Sequence, residues 1–150
     1  FARGEVRQAY DLMAARVAAA PSPDDLAFAG DLAAALGRAA EAGRYYTLAQ
    51  AAWISDAPDP GRLARFLAER NRRPVDALRL ATEAASTRRD IFTLDALAWA
   101  QYRNAMLDEA QATIAQALAI GTRDRTIRAH AETIARARAA ASRSARSGGR

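Results

Sequence analysis

The sequence contains no cysteine and no lysine, and it has a single histidine, His130. The absence of cysteine excludes a disulfide scaffold, a thiolate zinc site and a cysteine nucleophile. β-Branched residues are sparse, and no apolar run approaches the roughly 20 residues that span a bilayer. The 150 residues are instead rich in alanine, leucine and arginine, which are strong helix formers. The composition therefore predicts an all-α protein.

The sequence patterns that carry common catalytic chemistries are also missing. There is no GxxxxGK[ST] phosphate loop, no GxGxxG dinucleotide motif, no GxSxG elbow and no HExxH zinc motif. His130 lies in an alanine-rich segment without a second ligand, so we interpret it as structural. Acidic pairs such as Asp24-Asp25 and Asp108-Glu109 suit helix N-termini, where the helix dipole favours anions. We therefore expect no enzyme activity, no metal site and no cofactor.

The net charge of +5 is concentrated at the C-terminal end. Residues 1–60 hold 5 arginines and 8 acids, residues 61–122 hold 9 and 7, and residues 123–150 hold 8 and 2. A solvated basic tail, disordered over 142–150, is one interpretation of this excess. The alternative is a contact with nucleic acid or an acidic partner through the Arg-rich C-terminal segment. No aromatic residue follows Tyr102, which makes nucleic acid the less expected of these partners.

A repeat runs along the chain. Four positions that are equivalent in the repeat follow one another at 35, 33 and 34 residues, namely Gly30, Arg65, Ala98 and Glu132. A second series, Ala42, Ala77 and Ala110, follows at 35 and 33 residues. Prolines, glycines and polar runs predict helix breaks near 21–24, 37–38, 55–61, 71–74, 87–91, 104–107 and 121–123. A period near 34 with two helices per unit is the spacing of tetratricopeptide repeats.

The resemblance to that family is most specific at Leu94–Gly121. Leu-Ala-Trp-Ala at 97–100, then Tyr102, Asp108-Glu109-Ala110 and Ala117-Leu118 resemble the consensus of a bacterial tetratricopeptide repeat. The segment 24–56 is similar through Leu26, Ala29-Gly30, Ala42, Tyr46 and Ala49, and 62–89 fits through Leu67, Ala77 and Ala84, with Arg65 where a small residue is usual.

The resemblance implies a right-handed superhelix of antiparallel helix pairs with about seven helices. It implies one repeat domain over 1–141, with repeats near 24–57, 59–90 and 92–121 and a half-repeat at 122–141. It also implies a non-enzymatic adaptor or assembly scaffold that binds other proteins. A generic helical bundle and another type of α-solenoid are the alternatives for the fold.

In this family the first helix of each pair lines a concave groove, and the resemblance implies that aromatic and arginine side chains there bind a peptide. Such side chains are enriched in binding hot spots, and guanidinium groups bind carboxylates bidentately. Trp99 and Tyr102 could instead form core between repeats. For Trp99 the groove and core interpretations are equally supported, and for Tyr102 the core interpretation is favoured. The candidate peptide-binding residues are Arg62, Phe66, Arg70, Phe92, Trp99, Tyr102, Arg103 and Arg136.

The expected partner is another protein or peptide, with an acidic segment as the best chemical match. The family's carboxylate clamp for chaperone tails uses Lys and Asn, and this chain has no Lys and only Asn71 and Asn104. Binding to chaperone tails is therefore not expected. Self-association through the ends of the helical stack is a further alternative. The chain begins at Phe1 rather than Met, so we expect a piece of a longer or processed protein; the sequence indicates no compartment.

Overall fold

A computed structural model describes residues 3–55 and 59–147 of the chain. Within these residues every regular element is an α-helix and no strand is present, which confirms the all-α prediction. The described residues form eight helices, so the count of about seven is wrong. Three pairs and a half-repeat account for seven, and the helix that precedes them is the eighth. The helices are α1 (Arg3–Ala19), α2 (Pro23–Ala35), α3 (Ala39–Ser55), α4 (Pro60–Glu69), α5 (Pro74–Thr87), α6 (Ile91–Arg103), α7 (Leu107–Ile120) and α8 (Arg125–Ser147).

The helices belong to two compact units. The first unit is Phe1–Asp59, with α1 to α3, and the second is Pro60–Arg150, with α4 to α8. The three expected pairs correspond to α2 with α3, α4 with α5 and α6 with α7, and the helices of each pair pack together. The division lies between two of these pairs, and the single repeat domain over 1–141 stays a prediction. Of the linker predicted over 55–61, residues 56–58 lie outside the described residues.

Local signals in the sequence account for where the helices begin and end. Ser22 caps α2 by accepting a hydrogen bond from the backbone N–H of Asp25. Pro74 occupies the first turn of α5, where a missing N–H donor costs nothing. Gly37 and Gly121 end α2 and α7 with φ values of 78° and 93°, which glycine adopts without strain.

In the first unit, α2 packs against both α1 and α3. Tyr10, Leu32, Ala33 and Ala42 form its buried cluster. Gly30 allows the Tyr46 ring to lie directly against α2, because a Cβ at position 30 would come within 2.6 Å of Tyr46 Cδ1. Small residues at the crossing thus set how closely the two helices approach.

In the second unit, each helix packs against the next one along the chain, and α6 packs in addition against α4 and α8. The tight positions are alanines: Ala77, Ala98 and Ala110 are fully buried. Larger side chains fill the space between the helices and are also fully buried or nearly so, namely Leu67, Leu94, Ile114, Ile127 and Ile134.

The last helix is longer than the sequence suggests. We expect from the sequence that the half-repeat helix ends at Ala141 and that residues 142–150 form a disordered tail, but α8 continues to Ser147. Alanine and arginine favour the helix even where the side chains are exposed, and this local preference explains the difference. Residues 148–150 lie outside the described residues.

Candidate functional site

The predicted peptide-binding residues lie on α4, α6 and α8, or directly after α4 in the case of Arg70. In the second unit, α4 and α6 are the first helices of their pairs and α8 is the helix of the predicted half-repeat, and α6 contacts both of the others. We call the side chains that these three helices bring together the first-helix face. The structure places some of them in its interior and others on its surface, and the two groups have different roles.

Phe66 belongs to the interior, which corrects its prediction as a peptide-binding residue. It is 2% exposed, and α4 buries Leu63 and Leu67 on the same side. The Arg70 guanidinium carbon lies 4.7 Å from the centre of the Phe66 ring, a cation–π contact. The ring of Phe66 is therefore a core element that Arg70 covers.

Trp99 is also interior, so the core interpretation applies to it. It is 9% exposed and stacks on His130 with ring centroids 3.9 Å apart and an angle of 13° between the planes. Tyr102 stacks on Trp99, with centroids 4.7 Å apart, and is half-buried. The aromatic residues thus form a continuous stack from α6 to α8.

His130 forms a buried pair with Asp95. Its Nδ1 lies 2.9 Å from Asp95 Oδ1, and Asp95 is completely buried while His130 is 8% exposed. The second oxygen of Asp95, Oδ2, and the indole Nε1 of Trp99 have no hydrogen-bond partner among the described residues. A buried polar pair of this kind fixes the register of the two helices that carry it. The structural interpretation of His130 agrees with this geometry, although Asp95 is not recognisable as its partner from the sequence patterns described above.

Arg103 joins α6 to α4. Its guanidinium donates hydrogen bonds to the carbonyl oxygens of Ala68 at 3.0 Å and Glu69 at 3.3 Å, where α4 ends. The last carbonyls of a helix lack partners within it, and a cation is favoured at the negative end of the helix dipole. The same guanidinium lies 5.0 Å from the centre of the Trp99 ring. Arg103 is therefore committed largely to holding two helices together.

Arg65, which interrupts the small-residue pattern, has an electrostatic role on this face. It forms an ion pair with Glu69 at 2.7 Å. Burial opposes its charge, but the hydrogen bond with Glu69 and the charges of Asp95 and Asp124 outweigh that effect and raise the pKa of Arg65. The guanidinium is thus held in its charged form beside Glu69, at the end of α4.

The surface of the first-helix face carries the remaining predicted residues. Arg62 and Arg136 are exposed, and Phe92 is 50% exposed at the start of α6. Asp90 precedes it and caps α6 by accepting hydrogen bonds from the N–H groups of Phe92 and Thr93. The exposed side chains among the predicted residues are therefore Arg62, Phe92 and Arg136, and Tyr102 is half-buried.

The repeat itself contains a sequence signal for the buried contacts. Asp95 and His130 are 35 residues apart, as are Ala68 and Arg103. Both separations equal about one repeat, so these residues occupy equivalent places on successive first helices. Comparing chemically complementary residues one period apart would have found the contact of Asp95 with His130. It would not have found that of Arg103, whose partners are backbone carbonyl oxygens.

Two further observations apply to all the described residues. They contain no group of three or more His, Cys, Asp or Glu side chains that could hold a metal ion. No helix among them is both long enough and apolar enough to cross a membrane.

Comparison with known proteins adds no relative. No protein-family model, no curated protein and no solved structure matches the chain.

Proposed function

We propose that this chain is a non-enzymatic, tetratricopeptide-like repeat module that binds an acidic segment of another protein along the first-helix face. The succession of helix pairs with a period near 34 residues supports the repeat assignment. So do the contacts between residues 35 apart on neighbouring first helices. Modules of this architecture use their surfaces for binding.

The observation that carries the proposal is the composition of the exposed part of the face. Guanidinium groups from α4 and α8, at Arg62 and Arg136, accompany the exposed ring of Phe92 on α6. Guanidinium groups bind carboxylates through paired hydrogen bonds, and an aromatic ring supplies apolar contact area. These groups lie on helices that interior contacts hold together, through Trp99, His130 and Arg103. Such preorganisation reduces the entropy lost on binding.

The test measures binding of fluorescein-labelled peptides that are rich in Glu and contain one aromatic residue. The variant Arg62→Ala/Phe92→Ala removes a guanidinium and the exposed ring. We expect it to weaken binding by about tenfold or more, because a hot-spot residue contributes on the order of 2 kcal/mol.

A matched control is available on α5. Arg79→Ala/Val75→Ala removes an exposed guanidinium and an exposed apolar side chain, Val75 being 73% exposed. This control should bind the peptides as the wild type does. If both double variants stay folded and retain full affinity, the peptide site does not lie on the first-helix face.

A further inference from the structure

The strongest concentration of positive charge in the described residues lies on α8. Residues 125–146 contain six arginines and one acid, Glu132. Arg138 differs from the other five because it forms an ion pair with Asp108 on α7 at 2.5 Å. The remaining five are exposed, and we call them the outer arginine ridge: Arg125, Arg128, Arg136, Arg143 and Arg146.

The ridge occupies one side of the helix. At about 100° per residue, its five arginines lie within roughly 80° of one another. Ile127 and Ile134, which are fully buried against the rest of the second unit, lie on the opposite side. The packing of α8 therefore directs the ridge away from the core of its own unit.

The guanidinium groups of the ridge have no carboxylate partner among the described residues. Arg128 donates hydrogen bonds to the carbonyl oxygen of Thr122 at 3.1 and 3.2 Å, and Arg146 donates to that of Ser142 at 3.2 Å. Arg136 donates to the hydroxyl of Thr133 at 3.4 Å. These are contacts with neutral groups. Glu132 lies on the same side of α8, four residues from both Arg128 and Arg136, so the ridge carries one carboxylate among its five cations and keeps a net positive charge.

The spacing of the ridge suits a long, regular polyanion. From Arg125 to Arg146 the helix rises roughly 30 Å at about 1.5 Å per residue, close to one turn of B-form DNA at about 34 Å. Duplex DNA carries about one phosphate charge per 1.7 Å of its axis. A straight ridge of five cations can therefore follow the duplex and contact several phosphates at once.

The residues between the arginines exclude two other modes of recognition. Alanine and serine dominate the outer side of α8 beyond Glu132, and no aromatic residue follows Tyr102. Single-stranded nucleic acid is bound by stacking on aromatic rings. In protein interfaces an arginine hot spot is packed in a desolvated pocket together with apolar or aromatic side chains, and the ridge offers no such neighbours. A surface that offers cations without such anchors matches a phosphate backbone best.

We infer that the outer arginine ridge of α8 binds the phosphate backbone of double-stranded nucleic acid without reading its base sequence. The lack of aromatic residues makes nucleic acid the less expected partner from the sequence. That lack weighs against binding of single strands, which need stacking, and not against binding of a duplex. The helical continuation to Ser147 aligns Arg143 and Arg146 with the earlier arginines. The ridge shares Arg136 with the proposed peptide-binding residues, whereas Arg62 and Phe92 lie on other helices and are not part of it.

The experiment measures the affinity of the whole chain for a labelled DNA duplex of about 20 base pairs and mixed sequence, and for an RNA duplex of the same sequence, as salt is varied. Five phosphate contacts predict that log Kobs falls with log[salt] at a slope of about −4 to −5. The affinity should then drop by roughly 500-fold between about 50 and 200 mM salt. A scrambled duplex should bind equally well.

The variant Arg128→Gln/Arg136→Gln/Arg143→Gln removes three ridge cations and keeps good helix formers at exposed positions. Its slope should fall to about −2. The control Arg73→Gln/Arg79→Gln/Arg88→Gln removes the same charge from exposed arginines elsewhere in the second unit, whose side chains are 59%, 65% and 60% exposed. The control should keep the slope of the wild type.

Three results would overturn the inference. The first is no binding of either duplex by the wild type at the lowest salt concentration. The second is an equal reduction of slope in both triple variants, which would assign the effect to net charge rather than to the ridge. The third is displacement of the duplex by polyglutamate at equal charge concentration, which would make the ligand an acidic polypeptide. Circular dichroism of each variant verifies that α8 stays helical.

Discussion

At the scale of single residues, Gly30 determines how closely α2 and α3 approach. The Tyr46 ring occupies the space that a side chain would need, and its hydroxyl donates a hydrogen bond to Asp31 at 2.8 Å. Gly30→Ala must displace the ring and disturb that bond. Overpacking costs about 1–3 kcal/mol, whereas alanine gains at most about 1 kcal/mol of helix propensity. We expect a net loss of about 1–2 kcal/mol in the free energy of unfolding, measured by urea denaturation.

Gly43 is the matched control, because it lies within α3 and no described neighbour comes within 4 Å of the Cβ that alanine would add. Gly43→Ala should stabilise the protein by up to about 1 kcal/mol. Changes of the same sign for the two substitutions would show that the Tyr46 ring yields freely.

The buried pair of Asp95 and His130 leads to a second prediction at this scale. His130→Ala leaves both oxygens of Asp95 without a hydrogen-bond partner and opens space beside Trp99. We expect a loss of about 2–4 kcal/mol, since an unpaired buried polar group and a cavity both cost stability. A double-mutant cycle with Asp95→Ala, which removes the acceptor oxygens, measures the interaction energy of the pair. Additive effects of the two substitutions would mean that the hydrogen bond contributes little.

These residues also show what sequence analysis can and cannot provide. It interprets His130 as structural and leaves Trp99 open between groove and core. From the sequence, Phe66 is placed in the groove by its position on the first helix. A helical period gives only the direction of a side chain relative to its own helix. Whether that direction meets solvent depends on what packs around it, and here the Arg70 guanidinium lies over the ring.

At the scale of the helix, the small residues of the repeat set the distance between partners. Ala110 is fully buried at the start of α7, which packs against α6. Ala110→Leu should therefore lower the free energy of unfolding by about 1–3 kcal/mol, because a larger side chain at a close crossing forces strain. Ala139→Leu, at an exposed position of α8, should change it little. Equal melting temperatures for the two variants would show that the α6–α7 crossing has room to spare.

The caps of α6 and α8 make the protein sensitive to acid. Burial would raise the pKa of Asp90, but hydrogen bonds from Thr93 and Phe92 outweigh it and lower the pKa. Hydrogen bonds from the N–H groups of Ile127 and Thr126 lower the pKa of Asp124. The folded-state pKa values of both carboxyls lie below the unfolded value of about 3.9. The stabilisation is therefore present above about pH 4 and is lost as the pH falls through the folded-state pKa values.

Urea denaturation between neutral pH and about pH 2 checks this prediction. Asp90→Asn/Asp124→Asn keeps capping side chains but removes the titrating carboxylates. The double variant should lose less stability on acidification than the wild type. An identical loss in both proteins would assign acid sensitivity to other carboxylates, such as Glu41, whose pKa is lowered by the hydrogen bond from Tyr10.

The helices themselves are predictable to within a few residues, because proline, glycine and capping side chains mark their ends locally. The exception is the end of α8. An exposed stretch of alanine, serine and arginine carries no stop signal, and its polarity does not prevent it from forming a helix. The predicted number of helices is also one too few, since the repeat period counts pairs and takes no account of α1.

At the scale of the whole molecule, burial is unevenly distributed, and hydrogen exchange should reflect it. In α6, residues 93–96 and 98–100 are buried, whereas every described side chain over 139–146 is exposed. Exchange requires local opening, which is easiest where few contacts are lost. We expect the slowest exchange in α6 and the fastest among the helices at the end of α8, measured by mass spectrometry. Protection of 139–146 equal to that of α6 would reveal a partner packed on that segment.

The contacts one repeat apart have a consequence for how the chain folds. The hydrogen bonds that join α4 to α6, and α6 to α8, close segments of only 34 and 35 residues. The entropy lost in closing such segments is modest and nearly the same for each. Chains whose contacts are this local have low contact order, and they fold in microseconds to milliseconds. The second unit can therefore acquire its structure from neighbouring segments, without waiting for distant parts of the chain to meet.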